Sequence, residues 1–290
     1  MNKSQLIKKY YNQKNKLTLK NPVYLRQFNK LIKFILEEDL NNIGDITTNT
    51  LIAKNFTAHA VIIAKEAGIL SGIEEVLYIT KKYKVKTKVF KKDKDKIKKN
   101  ETIMTLSGGI KDLLVIERLI INIIQRMSGI ATKTNRVVKT AGDGALIVST
   151  RKTLWGLLDK RAVTAGGGGT HRLGLYDFML IKDNHLNFIN AENLKKIKTF
   201  WEVEVTNEEE LKMAITNNAS AIMFDNFASK DIQKLISKYF NKLKNTILEA
   251  SGMITEKNIK QYANSGVDII SIGKLTRSAQ TIDISMKIRK

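Results

Sequence analysis

From residue 145 onward this chain predicts an α/β fold of about six parallel strands arranged as a barrel, and three observations carry that prediction. Short apolar, β-branched runs recur: ALIVST (145–150), FMLIKD (178–183), WEVEV (201–205), AIMFD (221–225), TILEAS (246–251) and DIISIG (268–273). Amphipathic stretches such as NEEELKMAITNN, SKDIQKLISKYF and TEKNIKQYAN lie between them. Strands alternating with helices imply crossover connections, hence a parallel sheet that is either a barrel or an open doubly wound sheet. The third observation favours the barrel. Polar residues collect where the strands end: Arg151 and Lys152, Lys182 and Asp183, Glu204, Asp225, Ser251 and Gly252, and Gly273. In (β/α) barrels that end carries the active site, with phosphate often held after the last strands.

The preceding elements follow from local pattern. Residues 1–30 are polar and basic and contain the only proline, Pro22. They read as a loosely attached extension. LIKFILEEDL, starting at Leu31, has helical spacing and stops at the Asn-Asn-Ile-Gly-Asp turn. Residues 57–63, 75–80 and 83–90 read as strands, with turns at Gly68 and at Ser71-Gly72. LLVIERLIINIIQRM (113–127) reads as an apolar helix carrying Glu117, Arg118, Asn122, Gln125 and Arg126.

Composition narrows the classes. With 43% hydrophobic and 27% charged residues over 290 positions, the chain is that of a globular protein. No apolar run reaches the roughly 18 residues of a membrane span. The basic N-terminus lacks the apolar core and cleavage site of a secretory signal, so a cytoplasmic location is expected. Absence of cysteine removes disulfides and thiolate nucleophiles, and three histidines (His59, His171, His185) are thin material for a histidine metal site. The net charge of +22 includes eleven lysines within residues 81–100. These alternate with Tyr83, Val85, Val89 and Phe90, the pattern of a strand with a solvated lysine face. Nucleic-acid binding by that face is the second reading, but few aromatics interleave with the lysines.

The candidate chemistry is anion handling. Arg151, Lys152, His171, Arg172 and Lys182 follow two strands, and their converging charges suit a ligand with several carboxylates or phosphates. Glu204 and Asp225 end consecutive strands; paired carboxylates suit Mg²⁺ or sugar hydroxyls. A glycosidase pair is the competing chemistry, disfavoured by the surrounding cations. Gly166–Gly169 allow close backbone approach to a ligand or a flexible turn. Ser251, Gly252 and Gly273 follow the fifth and sixth strands, where amides and a hydroxyl can cradle phosphate.

These residues bring the chain to a resemblance. EEDLNNIGDITT (37–48), ERLIINIIQRMSGIAT (117–132), STRKT (149–153), GGGGTHRLGLYDFMLIKDNH (166–185), EVEV (202–205), FDN (224–226), EASG (249–252) and IGKLTRSAQTIDISMKI (272–288) resemble the quinolinate phosphoribosyltransferase family in sequence and order. The resemblance implies an N-terminal α/β sandwich domain plus a C-terminal incomplete (β/α) barrel. It places the sandwich at 31–128, rejoined by segment 277–290, and the barrel at 129–276. It also implies a homodimer or higher assembly in which each mouth is covered by the neighbour, whose Arg118 completes the site.

The implied reaction joins quinolinate to phosphoribosyl pyrophosphate with Mg²⁺, giving nicotinate mononucleotide, pyrophosphate and CO₂. By resemblance, Arg151, His171, Arg172 and Lys182 surround the quinolinate carboxylates, and Lys152 lies between them and the pyrophosphate. Lys152 and Lys182 stabilise the leaving charge, Glu204 and Asp225 serve the ribose hydroxyls and the metal, and Ser251, Gly252 and Gly273 hold the 5-phosphate. Two departures stand out. Trp155 occupies a position that is proline in the family's TRKTTPGLR run, and Arg277 stands where the family commonly has histidine, close to Lys274.

Overall fold

The computed structural model describes residues 1–289, with position 191 described in its backbone alone; Lys290, the end of the predicted C-terminal segment, lies outside them. The strands are β1 (Thr57–Ala64), β2 (Gly68–Ile69), β3 (Lys86–Val89), β4 (Lys96–Ile97), β5 (Thr102–Gly109) and β6 (Leu146–Val148). They continue with β7 (Met179–Ile181), β8 (Trp201–Val205), β9 (Ala221–Asp225), β10 (Ile247–Ser251), β11 (Ile269–Ser271) and β12 (Ile284–Arg289). The helices that matter below are α1 (Lys3–Tyr10), α2 (Pro22–Leu40), α3 (Ile46–Leu51), α4 (Ile73–Lys82), α5 (Ile110–Ala141) and α6 (Leu157–Ala165). Two compact units form. One combines Met1–Gln13, Arg136–Thr153 and Gly168–Arg277; the other combines Lys14–Asn135, Leu154–Gly167 and Ser278–Lys290. The division expected at 128/129 therefore falls inside α5, a single helix.

The first unit is built on a six-stranded parallel sheet in the order β6-β11-β10-β9-β8-β7. Consecutive pairing from β7 to β11, closed by the return of β6 beside β11, is the connectivity of a barrel left open between β6 and β7. Apolar groups gather at or just before the starts of β7 to β11, joined by Val148 from the end of β6. Val148, Phe178, Phe200, Ala221, Ile247 and Ile269 form one cluster, and Tyr11 is buried in it.

The loose extension expected over residues 1–30 is not what forms. Asn2 accepts from the Gln5 backbone N–H and the Gln5 side chain returns the bond, a capping box that starts α1. Its Leu6, Ile7 and Tyr10 then pack on the cluster, with Tyr10 stacked on Phe200 at 3.9 Å between centroids. Lysine-rich sequence hid this because only one stripe of α1 is apolar and its partners lie far along the chain. In the other unit, Asn21 caps α2 and Pro22 opens it. Tyr24 and Phe28 of α2 are fully buried there.

The second unit holds an antiparallel sheet, order β12-β1-β5-β3, with β12 supplied by the C-terminal segment. In β1, Ala58, Ala60, Ile62 and Ala64 are buried on one face. α5 buries Leu113, Ile116, Leu119, Ile120, Ile123, Ile124 and Met127, the spacing of one helical face. The strand expected at 75–80 is instead part of α4, which buries Ile73, Val76 and Ile79 at three-residue spacing. Its β-branched residues misled, while helical period and the acidic first turn decided the outcome. The run 83–90 yields only β3, an edge strand whose Lys86 and Lys88 are exposed. Lysines on such an edge discourage pairing with other chains. Among the described residues no helix is long and apolar enough to cross a membrane.

Candidate active site

At the C-terminal ends of the parallel strands lies a cavity of about 460 Å³ to which all six strands or the loops after them contribute. Thr150, Arg151 and Lys152 enter after β6, Leu180 and Lys182 from β7, and Glu204 from β8. Met223 and Asp225 come from β9, Ser251 from β10, Ser271 from β11, and His171 and Arg172 from the loop before β7. Strands at opposite ends of the sheet order meet in one cavity only if the sheet curls into a barrel. The structure thus brings together Arg151, Lys152, His171, Arg172, Lys182, Glu204, Asp225 and Ser251 from the sequence-predicted set. Four guanidinium or ammonium groups face two carboxylates there, leaving the mouth cationic and suited to polyanions.

Local bonds hold these groups. The Lys152 N–H donates to Thr150 Oγ1 at 3.1 Å, and Thr276 Oγ1 donates to the Lys152 carbonyl at 2.8 Å. Lys182 Nζ pairs with Glu204, and Asn226 Nδ2 donates to Asp225 at 2.7 Å. Arg172 is buried, and burial together with the like charge of Arg151 holds it below the ordinary guanidinium range. Gly252 has φ +88°, and a Cβ there would sit 2.1 Å from Asn226 Oδ1, so only glycine fits beside Ser251. Gly273 backs onto Lys152, whose Cδ lies 3.2 Å from the position of a Cβ.

Other candidates do not line that cavity. Arg277 is exposed at the end of the short helix Lys274–Arg277. Arg118 is exposed on α5 of the second unit. The glycine run serves packing: a Cβ on Gly166 would meet the Ala131 carbonyl at 2.4 Å, and one on Gly169 would meet the Tyr11 carbonyl at 2.5 Å. The Gly169 N–H is spent on the Ile147 carbonyl. Trp155 packs in the second unit, where the Arg126 guanidinium lies 5.2 Å from its ring centroid. Asp159 holds that guanidinium through two 2.8 Å bonds and caps the Leu154 and Trp155 N–H groups.

Beneath the mouth is a cluster that sequence reasoning missed. His171 Nε2 lies 3.3 Å from Glu202 and 3.2 Å from Glu249, both carboxylates being fully buried. Tyr11, also fully buried, donates its hydroxyl to Glu202 at 2.8 Å. Burial alone would lower the His171 pKa, but Glu249 and Glu202 push it up to about 9. Burial and then Glu202 raise Glu249 to about 7. The Arg172 N–H points at Nδ1 from 2.7 Å, so that nitrogen carries no proton. The extra proton retained near neutrality belongs to the cluster of His171, Glu202 and Glu249 as a whole. A signal existed in the sequence: Glu202 and Glu249 each stand two residues before a mouth residue, Glu204 and Ser251, and so share its strand face.

Comparison with known proteins agrees with this geometry. Residues 45–128 match the family model for the quinolinate phosphoribosyl transferase N-terminal domain, and residues 130–287 match that for its C-terminal domain. A probable nicotinate-nucleotide pyrophosphorylase [carboxylating] of Methanocaldococcus jannaschii is 40% identical over 276 residues, covering 89% of this chain and 96% of that protein. Its Bacillus subtilis counterpart is 39% identical, covering 90% and 93%. Among solved structures, the nicotinate-nucleotide pyrophosphorylase of Francisella tularensis superposes with a TM-score of 0.82 at 34% identity, covering 91% of this chain and 96% of that one.

Proposed function

This chain belongs to the quinolinate phosphoribosyltransferase family, and we propose from that premise how its residues divide the work. The reaction transfers the phosphoribosyl group of phosphoribosyl pyrophosphate to quinolinate, releasing pyrophosphate and CO₂ and giving nicotinate mononucleotide, a step toward NAD. The observation that carries this reading is the single cavity in which Arg151, Lys152, Arg172 and Lys182 face Glu204 and Asp225.

Arg151, His171, Arg172 and Lys182 hold the two quinolinate carboxylates, and Lys152 stands toward the departing pyrophosphate. Holding the pyridine nitrogen against ribose C1 turns a bimolecular encounter into an oriented one. The nitrogen's lone pair forms the N–C1 bond as the C1–O bond to pyrophosphate breaks, and Lys152 and Lys182 stabilise the leaving charge. The positive pyridinium nitrogen then accommodates the electron pair left at C2 when CO₂ departs, and C2 takes up a proton. The chain's own groups bind, orient and stabilise charge, so no protein nucleophile is needed.

Glu204 and Asp225 hold the ribose hydroxyls. They also offer hard oxygen ligands on neighbouring strands, which fits Mg²⁺, an ion commonly held by one or two carboxylates plus substrate phosphates. Bound there, Mg²⁺ would neutralise pyrophosphate charge. Ser251, Gly252 and Gly273 cradle the 5-phosphate, with Arg277 beside it. The exposed Arg118 completes the site of a neighbouring subunit in a homodimer or higher assembly, and the enzyme works in the cytoplasm.

The test is an assay with quinolinate, phosphoribosyl pyrophosphate and Mg²⁺, following nicotinate mononucleotide and CO₂. Product from quinolinate is expected. Turnover of nicotinate with none of quinolinate would overturn the acceptor assignment.

A further inference from the structure

Two carboxylates buried under a substrate pocket are costly. Each loses several kcal/mol of solvation, and replacing a buried ionic cluster with apolar groups of similar size often leaves a protein as stable or more so. Core packing therefore does not explain Glu202 and Glu249. Both are fully buried and converge on one atom, His171 Nε2, at 3.3 and 3.2 Å. Glu202 Oε1 is held from below by the Tyr11 hydroxyl at 2.8 Å.

His171 itself is held in an unusual way. Its backbone has φ +50°, a left-handed conformation that costs a residue with a Cβ about 1–2 kcal/mol. Neighbouring bonds over-determine it: the Thr170 N–H donates to the Tyr11 carbonyl at 2.7 Å, and the Arg172 N–H donates to His171 Nδ1 at 2.7 Å. The ring is therefore gripped at both nitrogens, by the Arg172 backbone on one side and the two carboxylates on the other. His171, Glu202 and Glu249 also offer three ligand atoms within 4.8 Å of one another. A metal ion would need an unprotonated Nε2, but with Nδ1 accepting a hydrogen bond the ring's hydrogen sits on Nε2, the ring atom that lies within 3.3 Å of both carboxylates.

We propose that Glu202 and Glu249, with Tyr11 bracing Glu202, are positioning residues for acceptor binding, fixing the His171–Arg172 segment so that both side chains meet the acid groups of quinolinate. The proposal rests on the assignment of His171 to quinolinate made above. Glu202 and Glu249 touch no substrate; they act through the imidazole and the backbone that follows it.

The discriminating variants are Glu202→Leu and Glu249→Leu, the former paired with Tyr11→Phe so that no hydroxyl is orphaned. Leucine fills the space and removes both charge and acceptor. We expect the thermal midpoint to hold or rise, KM for quinolinate to increase at least tenfold, and KM for phosphoribosyl pyrophosphate and kcat to stay within about threefold. Glu202→Gln and Glu249→Gln keep an acceptor oxygen and should restore KM for quinolinate to within about threefold of the native enzyme. An unchanged KM for quinolinate in the leucine variants would overturn the proposal. So would an equal rise in both KM values with a fall in kcat, the signature of general disruption. His171→Ala separates the two levels: if it leaves KM for quinolinate unchanged, the assignment of His171 fails. If it raises that KM while the leucine variants do not, only the tether fails.

Discussion

The Tyr11 hydroxyl donates to the Glu202 carboxylate at 2.8 Å, joining the end of the N-terminal helix to a strand 191 residues later, with both side chains fully buried. This bond makes the N-terminal segment part of the barrel. Tyr11→Phe should cost about 1–3 kcal/mol, the penalty for a buried acceptor that loses its donor. Tyr11→Ala should cost about 3–5 kcal/mol through the cavity it opens. Urea denaturation of both variants measures this, and losses below about 0.5 kcal/mol would show a segment that merely rests on the barrel.

Stability should fall as pH rises from about 5 to 9. Glu249 rises from 4.5 to about 7 on folding and His171 from 6.5 to about 9, so across that window the native state binds more protons than the unfolded chain. Stability conferred by a raised pKa is fully present below the unfolded value and is lost as pH passes the folded one. The raised pKa values of Glu75 and Asp93, both caused first by burial, act in the same direction. Comparison of the native protein with Glu249→Gln isolates the cluster: the slope of thermal midpoint against pH should flatten by roughly half or more of the cluster's share, since one of its two titrating groups is gone. Identical slopes would contradict the shift at Glu249.

Gly252 has no room for a side chain, because a Cβ would lie 2.1 Å from Asn226 Oδ1 and 2.9 Å from its backbone nitrogen. Gly252→Ala should strain the Ser251–Met253 turn by about 1–3 kcal/mol. Steady-state kinetics should then show KM for phosphoribosyl pyrophosphate rising about tenfold while KM for quinolinate holds. The reverse pattern would place the phosphate elsewhere.

Trp155 stacks with Arg126 in the second unit. Trp155→Ala should therefore lower stability by about 0.5–2 kcal/mol through loss of the cation–π contact, with KM for quinolinate within about twofold of native. A larger change in KM at unchanged stability would mean that the ring meets substrate.

Much of the molecule was legible in its residues. Strand-and-helix alternation predicted the parallel sheet, and the polar residues closing those strands named six of the cavity's lining residues, with His171 and Arg172 of the preceding loop making eight. Both are local properties: period sets which face is apolar, and the end of a strand is where a side chain is free to be polar. Tertiary structure alone decided the rest. α1 became a barrel plug because its apolar stripe finds Phe178 and Phe200. The glycine run became a packing device against the Ala131 and Tyr11 carbonyls rather than a ligand cradle. Glu202 and Glu249 became a shared anchor for His171 only when three segments separated by tens of residues were folded together. No sequence window contains that convergence, because a carboxylate's role depends on what faces it across the barrel, and the closure of the sheet sets that.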